Sequence, residues 1–239
     1  MSGEIRFEII IPCYNAESTL ARTLDSLSEQ TYRNWRAWVV NDGSTDKSAD
    51  LAYSKSLADP RIKVFSGPNQ GVSAAQNFGR ARILEEGNEN SIVSCCGSDD
   101  WYLPDRCKIY AEEFEKHPEM DFLYSDVSCF FPDGGRAQPY GVAYHEIFEP
   151  LKLPFENPIF APTAAYKLKC FSVGEFDSRL DSIEDWDFYC RVAKAGFRMV
   201  HLKATLTAVT VRDWRFESGM AGKRTKEKWE LFQSKRKED

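Results

Sequence analysis

The sequence predicts an α/β fold with a mostly parallel central sheet flanked by helices, and three observations point to it. Short apolar runs alternate with segments of helical period through the first half of the chain. Such alternation implies parallel strands joined by right-handed crossovers. Clusters of Asn, Asp, Ser and Gly follow three of the apolar runs, near residues 15, 42 and 99. No repeat, low-complexity linker or clear boundary divides the 239 residues, and 42% hydrophobic content is enough for a real core.

The elements follow in order. Phe7 to Ile11 reads as a buried strand closed by Pro12. Asn15 is placed to cap a helix whose apolar positions Leu20, Leu24 and Leu27 recur at helical spacing. Trp35 to Val40 is the second strand; it ends in Asn41, Asp42 and Gly43, and Ser44 or Thr45 can open the next helix. Arg61 to Phe65 is the third strand, followed by the turn "GPNQG". Val72 to Leu84 is helical, with Ala75, Phe78, Ala81 and Leu84 along one side. Ile92 to Cys96 is the fourth strand, Pro104 opens a helix running through Phe114, and Asp121 to Tyr124 is the fifth strand. Residues 130–180 are irregular and rich in proline and aromatics. A helical pattern returns over 184–196, and Met199 to Val211 is strand-like. The segment from Lys223 onward is charged and reads as a solvated helix or a disordered tail. Its Lys/Arg cluster with Trp229 and Phe232 could alternatively touch a membrane surface.

Composition narrows the function. A formal net charge of -6 argues against non-specific nucleic-acid binding, which needs a basic surface. Met1 to Arg6 is too short and polar for a signal peptide, and no apolar run approaches the ~20 residues of a membrane span. The seven cysteines form no CxxC pair and several lie in apolar runs, so they read as reduced core thiols of a cytoplasmic protein. His117, His145 and His201 are too scattered for a metal site.

Ligands of open α/β sheets bind outside the carboxyl ends of the strands, at the switch in strand order. Three polar clusters fall at such ends: Tyr14-Asn15, Asn41-Asp42-Gly43-Ser44 and Ser98-Asp99-Asp100. Any one alone reads as a turn. Together on one sheet edge they form an acidic rim suited to a divalent cation and polar ring systems. No GxGxxG follows the first strand and no GxxxxGK[ST] occurs, so dehydrogenase and P-loop readings lose their main support.

Four segments carry a family resemblance: "IIIPCYNAESTLARTLDSL", "VVNDGSTDKS", "NQGVSAAQNFG" with "GSDDWYLPD", and "GEFDSRLDSIEDWDFYCRVAKAG". In this order and spacing, over roughly residues 7–200, they resemble the inverting family 2 glycosyltransferases of the GT-A fold. The resemblance implies a single GT-A domain over residues 1–222. Its donor-binding half spans about 1–127 and its acceptor-side half about 128–222, with 223–239 as the charged tail. Pro12, Tyr14, Asn15, Gln76 and Ser98 would line the nucleotide pocket, and Asp42 would accept a hydrogen bond from the base. Asp99 would hold Mg²⁺ or Mn²⁺ on the diphosphate of a nucleotide sugar, a UDP-sugar by resemblance. Asp185 would take the proton from the acceptor hydroxyl, with Asp100, Trp101, Glu184, Arg212 and Trp214 on the acceptor side or in support. The acceptor would be a glycan or a lipid-linked glycan, as in polysaccharide biosynthesis at the inner face of a membrane.

The chemistry wants these groups. A hard cation held by carboxylate oxygens neutralises a leaving diphosphate, and an inverting displacement needs one base and no enzyme nucleophile. Acids opening a helix also have a bland reading, as solvated groups favoured by its dipole. Three positions depart from the family pattern. Gly97 stands where the family usually has the first Asp of Asp-x-Asp, Gln76 where it has Arg, and Trp214 where it often has a His after Arg212. The alternative implied by these losses is a GT-A domain that binds nucleotide or glycan without catalysis. A nucleotidyltransferase would want a basic, glycine-rich first loop, and "PCYNAES" has none. Residues 130–165, with Phe130, Phe131, Tyr140, Tyr144, Phe155 and Phe160, read as an acceptor side or lid, or as plain core. Restoring the lost acid by Gly97→Asp is expected to raise affinity for free metal.

Overall fold

The computed structural model of the protein describes residues 4–86, 90–130, 159–210 and 230–235. Among these, eight strands form one sheet in the order β3-β2-β1-β4-β7-β6-β8-β5. Strands β1 (Arg6–Cys13), β2 (Trp35–Asp42), β3 (Ile62–Gly67) and β4 (Ser91–Cys95) are mutually parallel. They are joined by helices α1 (Leu20–Ser28), α2 (Ser48–Ala58) and α3 (Val72–Glu86), as the alternation predicts. Then β5 (Trp101–Tyr102), α4 (Arg106–Lys116) and β6 (Phe122–Phe130) follow; β7 is Ala165–Lys167, α5 Glu184–Lys194 and β8 Met199–Thr210. The short β7 pairs antiparallel with both β4 and β6, while β6 and β8 run parallel. β7 therefore stitches the β1–β4 part of the sheet to a second parallel pair.

Two large apolar clusters bury the sheet's two faces. One gathers Phe7, Ile9 and Ile11 with Leu20, Leu24 and Leu27 of α1 and Tyr110 and Phe114 of α4. The other gathers Ile10, Val93, Phe122 and Tyr166 with Phe188 and Val192 of α5. Alternate residues of β1 thus face opposite layers, as period-two geometry requires. Even Glu8, fully buried in β1, is neutralised there: Arg6 Nε lies 2.5 Å away and Trp38 Nε1 donates at 2.7 Å.

Several expectations need correction. Asn15 does not cap α1; Thr19 occupies that position, and Asn15 ties two loops together instead. Helix α2 opens at Ser48, not at Ser44 or Thr45, with Asp46 Oδ1 accepting from the Ser48 backbone N–H at 2.9 Å. In α3 the expected face holds at Ala75 but not at Phe78 or Leu84. Phe78 and Leu84 are each 40% exposed, while Ser73, Ala75, Gln76, Gly79 and Ile83 face the sheet. Close approach is part of the cause: a Cβ on Gly79 would stand 2.7 Å from Ile10 Cγ2, so that position must stay small. The tail from Lys223 is not wholly solvated either. Residues 230–234 are helical, and Phe232 is 1% exposed, so its ring is not free to enter a membrane.

Candidate active site

In the order β3-β2-β1-β4 the chain builds outward from β1 to one side and then returns to place β4 on the other. The switch point lies between β1 and β4, and a cavity of about 480 Å³ opens there. Pro12, Cys13 and Tyr14 approach it from the end of β1, Asp42 from the end of β2, and residues 95–100 from the end of β4. Gly71, Val72, Ala75 and Gln76 contribute from the start of α3; Ala161, Pro162 and Glu184 close the far side. The three polar clusters do meet at one sheet edge.

Tyr14 lines the cavity and is 51% exposed, which leaves its ring open for stacking. Asn15 lies outside the lining. Its backbone is left-handed (φ 48°), a conformation Asn tolerates. Its Oδ1 accepts from Thr45 N–H at 2.8 Å, and its own N–H donates to Ser44 Oγ at 3.0 Å, so it fixes the β1 loop to the β2 loop. Asp42 is buried and already engaged: its two oxygens accept from the backbone N–H of Gln70 at 2.8 Å and of Gly71 at 2.9 Å. The carboxylate holds the "PNQG" turn against the cavity and keeps further lone pairs for a ligand N–H. Gln76 lines the cavity, and its buried Oε1 has no hydrogen-bond partner among the described residues.

At the end of β4, Gly97, Ser98 and Asp99 are half-buried at the cavity edge, whereas Asp100 turns inward. Asp100 Oδ1 accepts from Thr210 N–H at 2.9 Å, and its carbonyl accepts from Thr23 Oγ1 at 2.7 Å. Burial, and then the charge of Asp99, push its carboxyl up to about 7. Asp100 is therefore a loop organiser that joins β4 to α1 and β8. The Asp99 carbonyl accepts from Arg22 at 2.8 Å and from Thr210 Oγ1 at 2.5 Å, which fixes the backbone and lets the carboxylate edge the cavity. Among the described residues no three His, Cys, Asp or Glu side chains cluster to cage a cation. One hard carboxylate beside a cavity large enough for a diphosphate fits Mg²⁺ or Mn²⁺ held jointly by protein, phosphate and water.

The far wall is the start of α5. Glu184 lines the cavity and is buried; Asp185 is half-buried beside it. Glu184 Oε2 accepts from Ser182 N–H at 2.7 Å, and Asp185 Oδ1 from Trp186 N–H at 2.7 Å. Burial raises both carboxyls well above the ordinary range, and the charge of Asp185 raises Glu184 further. Trp101 is not in the lining; it sits under the Arg22 guanidinium, 3.8 Å from its ring centre, and 4.9 Å from Phe130. Arg212, Trp214 and residues 131–158, including most of the expected acceptor-side aromatics, lie outside the described residues.

Sequence reasoning missed Asp181. It reaches across from the segment before α5 to the start of α3, where its Oδ1 accepts from the Ser73 hydroxyl and from Ser73 N–H at 3.2 Å. Gly71 must be glycine there: its φ is +93°, and a Cβ would run into Asp181 Oδ2. An acid three residues after "FDS" carries no sequence signal that it spans to residue 73. The cavity also contains thiols, but burial raises Cys13 to about 11 and Cys95 to about 12, so neither is a thiolate nucleophile at neutral pH.

Comparison with known proteins agrees with this geometry. The family described as Glycosyl transferase family 2 matches residues 8–172. Glycosyltransferase GlyA of Streptococcus pneumoniae is 30% identical over 238 residues, covering 94% of this chain; the chain spans only 32% of that relative's length. The solved structure of Staphylococcus aureus TarS 1-349 in complex with UDP-GlcNAc superposes with a TM-score of 0.75 at 21% identity, over 95% of this chain and 65% of that one. The mannosyltransferase PcManGT of Pyrobaculum calidifontis, in complex with GDP-Man and Mn²⁺, gives 0.67 at 19% identity, over 98% of this chain and 64% of that one. The fold is that of the GT-A glycosyltransferases.

Proposed function

The chain belongs to glycosyl transferase family 2, and from that premise we propose that it transfers a sugar with inversion from a nucleotide-sugar donor, a UDP-sugar, to an acceptor hydroxyl. The observation that carries this reading is the single cavity that Asp42, Gln76, Asp99 and Glu184 share at the switch point of the sheet. Tyr14 would stack on the base while Asp42 accepts from its ring N–H, with Gln76 and Ser98 beside them. Asp99 would hold Mg²⁺ or Mn²⁺ against the diphosphate, where the cation supplies charge neutralisation of the leaving group. Asp185 takes the acceptor's hydroxyl proton. The acceptor oxygen then bonds to the anomeric carbon from the face opposite the leaving group, and the sugar–phosphate bond breaks to release nucleoside diphosphate. The raised carboxyls of α5 suit proton transfer near neutrality. High thiol pKa values in the cavity fit a single displacement without an enzyme nucleophile. A glycan or lipid-linked glycan is the acceptor class we propose, with the reaction at the cytoplasmic membrane face. Among the described residues no helix is long and apolar enough to cross a membrane.

A non-catalytic nucleotide-binding domain is the second reading. It is favoured by Gly97, Gln76 and Trp214, the three departures from the family pattern. One titration separates the two. Mn²⁺ should strengthen UDP binding in the wild type, UDP should strengthen Mn²⁺ binding by the same factor, and Asp99→Ala should abolish both effects. Turnover of a panel of nucleotide sugars with Mn²⁺ then identifies the donor. If UDP affinity is indifferent to Mn²⁺ and no donor turns over, the binding reading replaces the enzymatic one.

A further inference from the structure

We propose that residues 230–235 act as a brace that positions the first turn of α5, with Phe232 and Lys235 as positioning residues for the transfer; this rests on the reading of that turn as the acceptor-side wall. The first turn is held locally by its own acids, through Ser182 N–H, Trp186 N–H and the Arg191 guanidinium, but it lacks a side-chain N-cap. Its N-cap, Ile183, offers no side-chain cap, and Ser182 before it sits at φ 90°, unusual for a residue with a side chain. It also packs three acids, Glu184, Asp185 and Asp187, into one turn, two of them buried. A junction of this kind persists only where its surroundings over-determine it.

Residues 230–235 supply those surroundings. Phe232 is buried with its ring 4.9 Å from Trp186, in a cluster with Leu180 and Ile183. Trp186 directly follows Asp185, and its N–H donates to that carboxylate. Lys235 Nζ lies 2.9 Å from Asp187 Oδ1 and 3.0 Å from Asp177 Oδ2, so one ammonium joins the acid inside the turn to the acid ahead of it. On the opposite side Asp181 ties the same segment to Ser73 at the donor loop. The turn is thus gripped from two directions, one of them contributed by a stretch about 45 residues further along the chain. Neither Phe232 nor Lys235 lines the cavity. Their effect on transfer is through the placement of Glu184 and Asp185, where misplacement by about 1 Å can cost on the order of 10²-fold.

The test uses full-length Lys235→Ala, Lys235→Arg and Phe232→Ala. In each, UDP affinity with Mn²⁺ is measured by calorimetry, amide exchange is followed over residues 182–188, and turnover is measured with the donor that the wild type uses best. Lys235→Ala and Phe232→Ala should accelerate exchange in that turn and lower kcat about tenfold or more, with UDP affinity within twofold of wild type; Lys235→Arg should recover most of kcat. Exchange in Lys235→Ala equal to wild type overturns the brace whatever the turnover shows. Parallel loss of UDP affinity and kcat overturns it too, because general destabilisation then suffices. Should Phe232→Ala fail to fold, the Lys235 pair decides alone. Asp185→Asn in the same assay keeps the two ideas apart: full activity there would defeat the general-base reading and leave the exchange result to judge the brace.

Discussion

Oδ2 of Asp100 lies 2.7 Å from where a Cβ on Gly97 would stand, and Oδ1 of Asp99 lies 3.0 Å from the same point. The space of a side chain at position 97 is therefore held by the two acids that follow it. Asp100 cannot simply swing away, because it is buried and accepts from Thr210 N–H. Gly97→Asp is still expected to raise affinity for free metal, but this geometry sets a cost in stability beside it.

Gly97→Ala should instead lower metal-free stability by about 1–3 kcal/mol, the usual cost of overpacking or of leaving a buried N–H unsatisfied. Gly97→Asp should lose at least as much, since it adds a third carboxylate, and Mn²⁺ should restore part of the loss only in the Asp variant. Thermal melts with and without Mn²⁺ check this; an unchanged melting temperature for Gly97→Ala would show that the loop adapts freely.

Asp185→Asn should reduce transfer by roughly two to four orders of magnitude, while UDP binding stays near wild type. Glu184→Gln should remain active, since the amide keeps an acceptor for Ser182 N–H and resembles the protonated acid. If the two variants behave the other way round, Glu184, which lines the cavity, is the base.

The raised carboxyls of this pair also set a pH dependence. A base must be deprotonated, so kcat/KM should fall on the acid side well above the ~4 of an ordinary carboxylate. Stability moves in the opposite sense. Between the ordinary carboxylate range and the raised values, the folded chain keeps protons that the unfolded chain has released, so stability falls as pH rises through that window. Asp185→Asn should flatten that slope, which denaturant titrations at several pH values would read.

Asp42→Ala should weaken UDP binding by about 1.5–3 kcal/mol, the worth of a charged acceptor. It should also lower stability, because the N–H groups of Gln70 and Gly71 lose their acceptor. Calorimetry and melts together separate the roles: a lower melting temperature with unchanged UDP affinity would reduce Asp42 to a loop anchor.

Gly79→Val should destabilise by about 1–3 kcal/mol through overpacking, as a Cβ there meets Ile10 of the central strand. Denaturant unfolding measures it, and a neutral result would mean that α3 can shift on the sheet.

Period and turn chemistry made the first four strands, α1 and α5 legible, because each presents a continuous buried face. They failed in part for α3, where Phe78 and Leu84 are left exposed and close packing on the sheet keeps Gly79 small. They also failed for β5 and β7, which are two and three residues long and owe their existence to their neighbours. In the cavity, the residues at strand ends could be read from sequence because the backbone delivers them there. Asp181, Phe232 and Lys235 could not, since their partners lie from about 45 to over a hundred positions away and no local spacing encodes such a contact.

None of the seven cysteines forms a disulfide, and six are buried while Cys190 is half-buried. It lies on α5, packed against the cluster that Phe232 completes. Thiol-modifying reagents should therefore label Cys190 ahead of the six buried thiols. Its labelling rate, followed with UDP and Mn²⁺ added or withheld, is a native reporter of how residues 230–235 pack on α5, with no engineered probe.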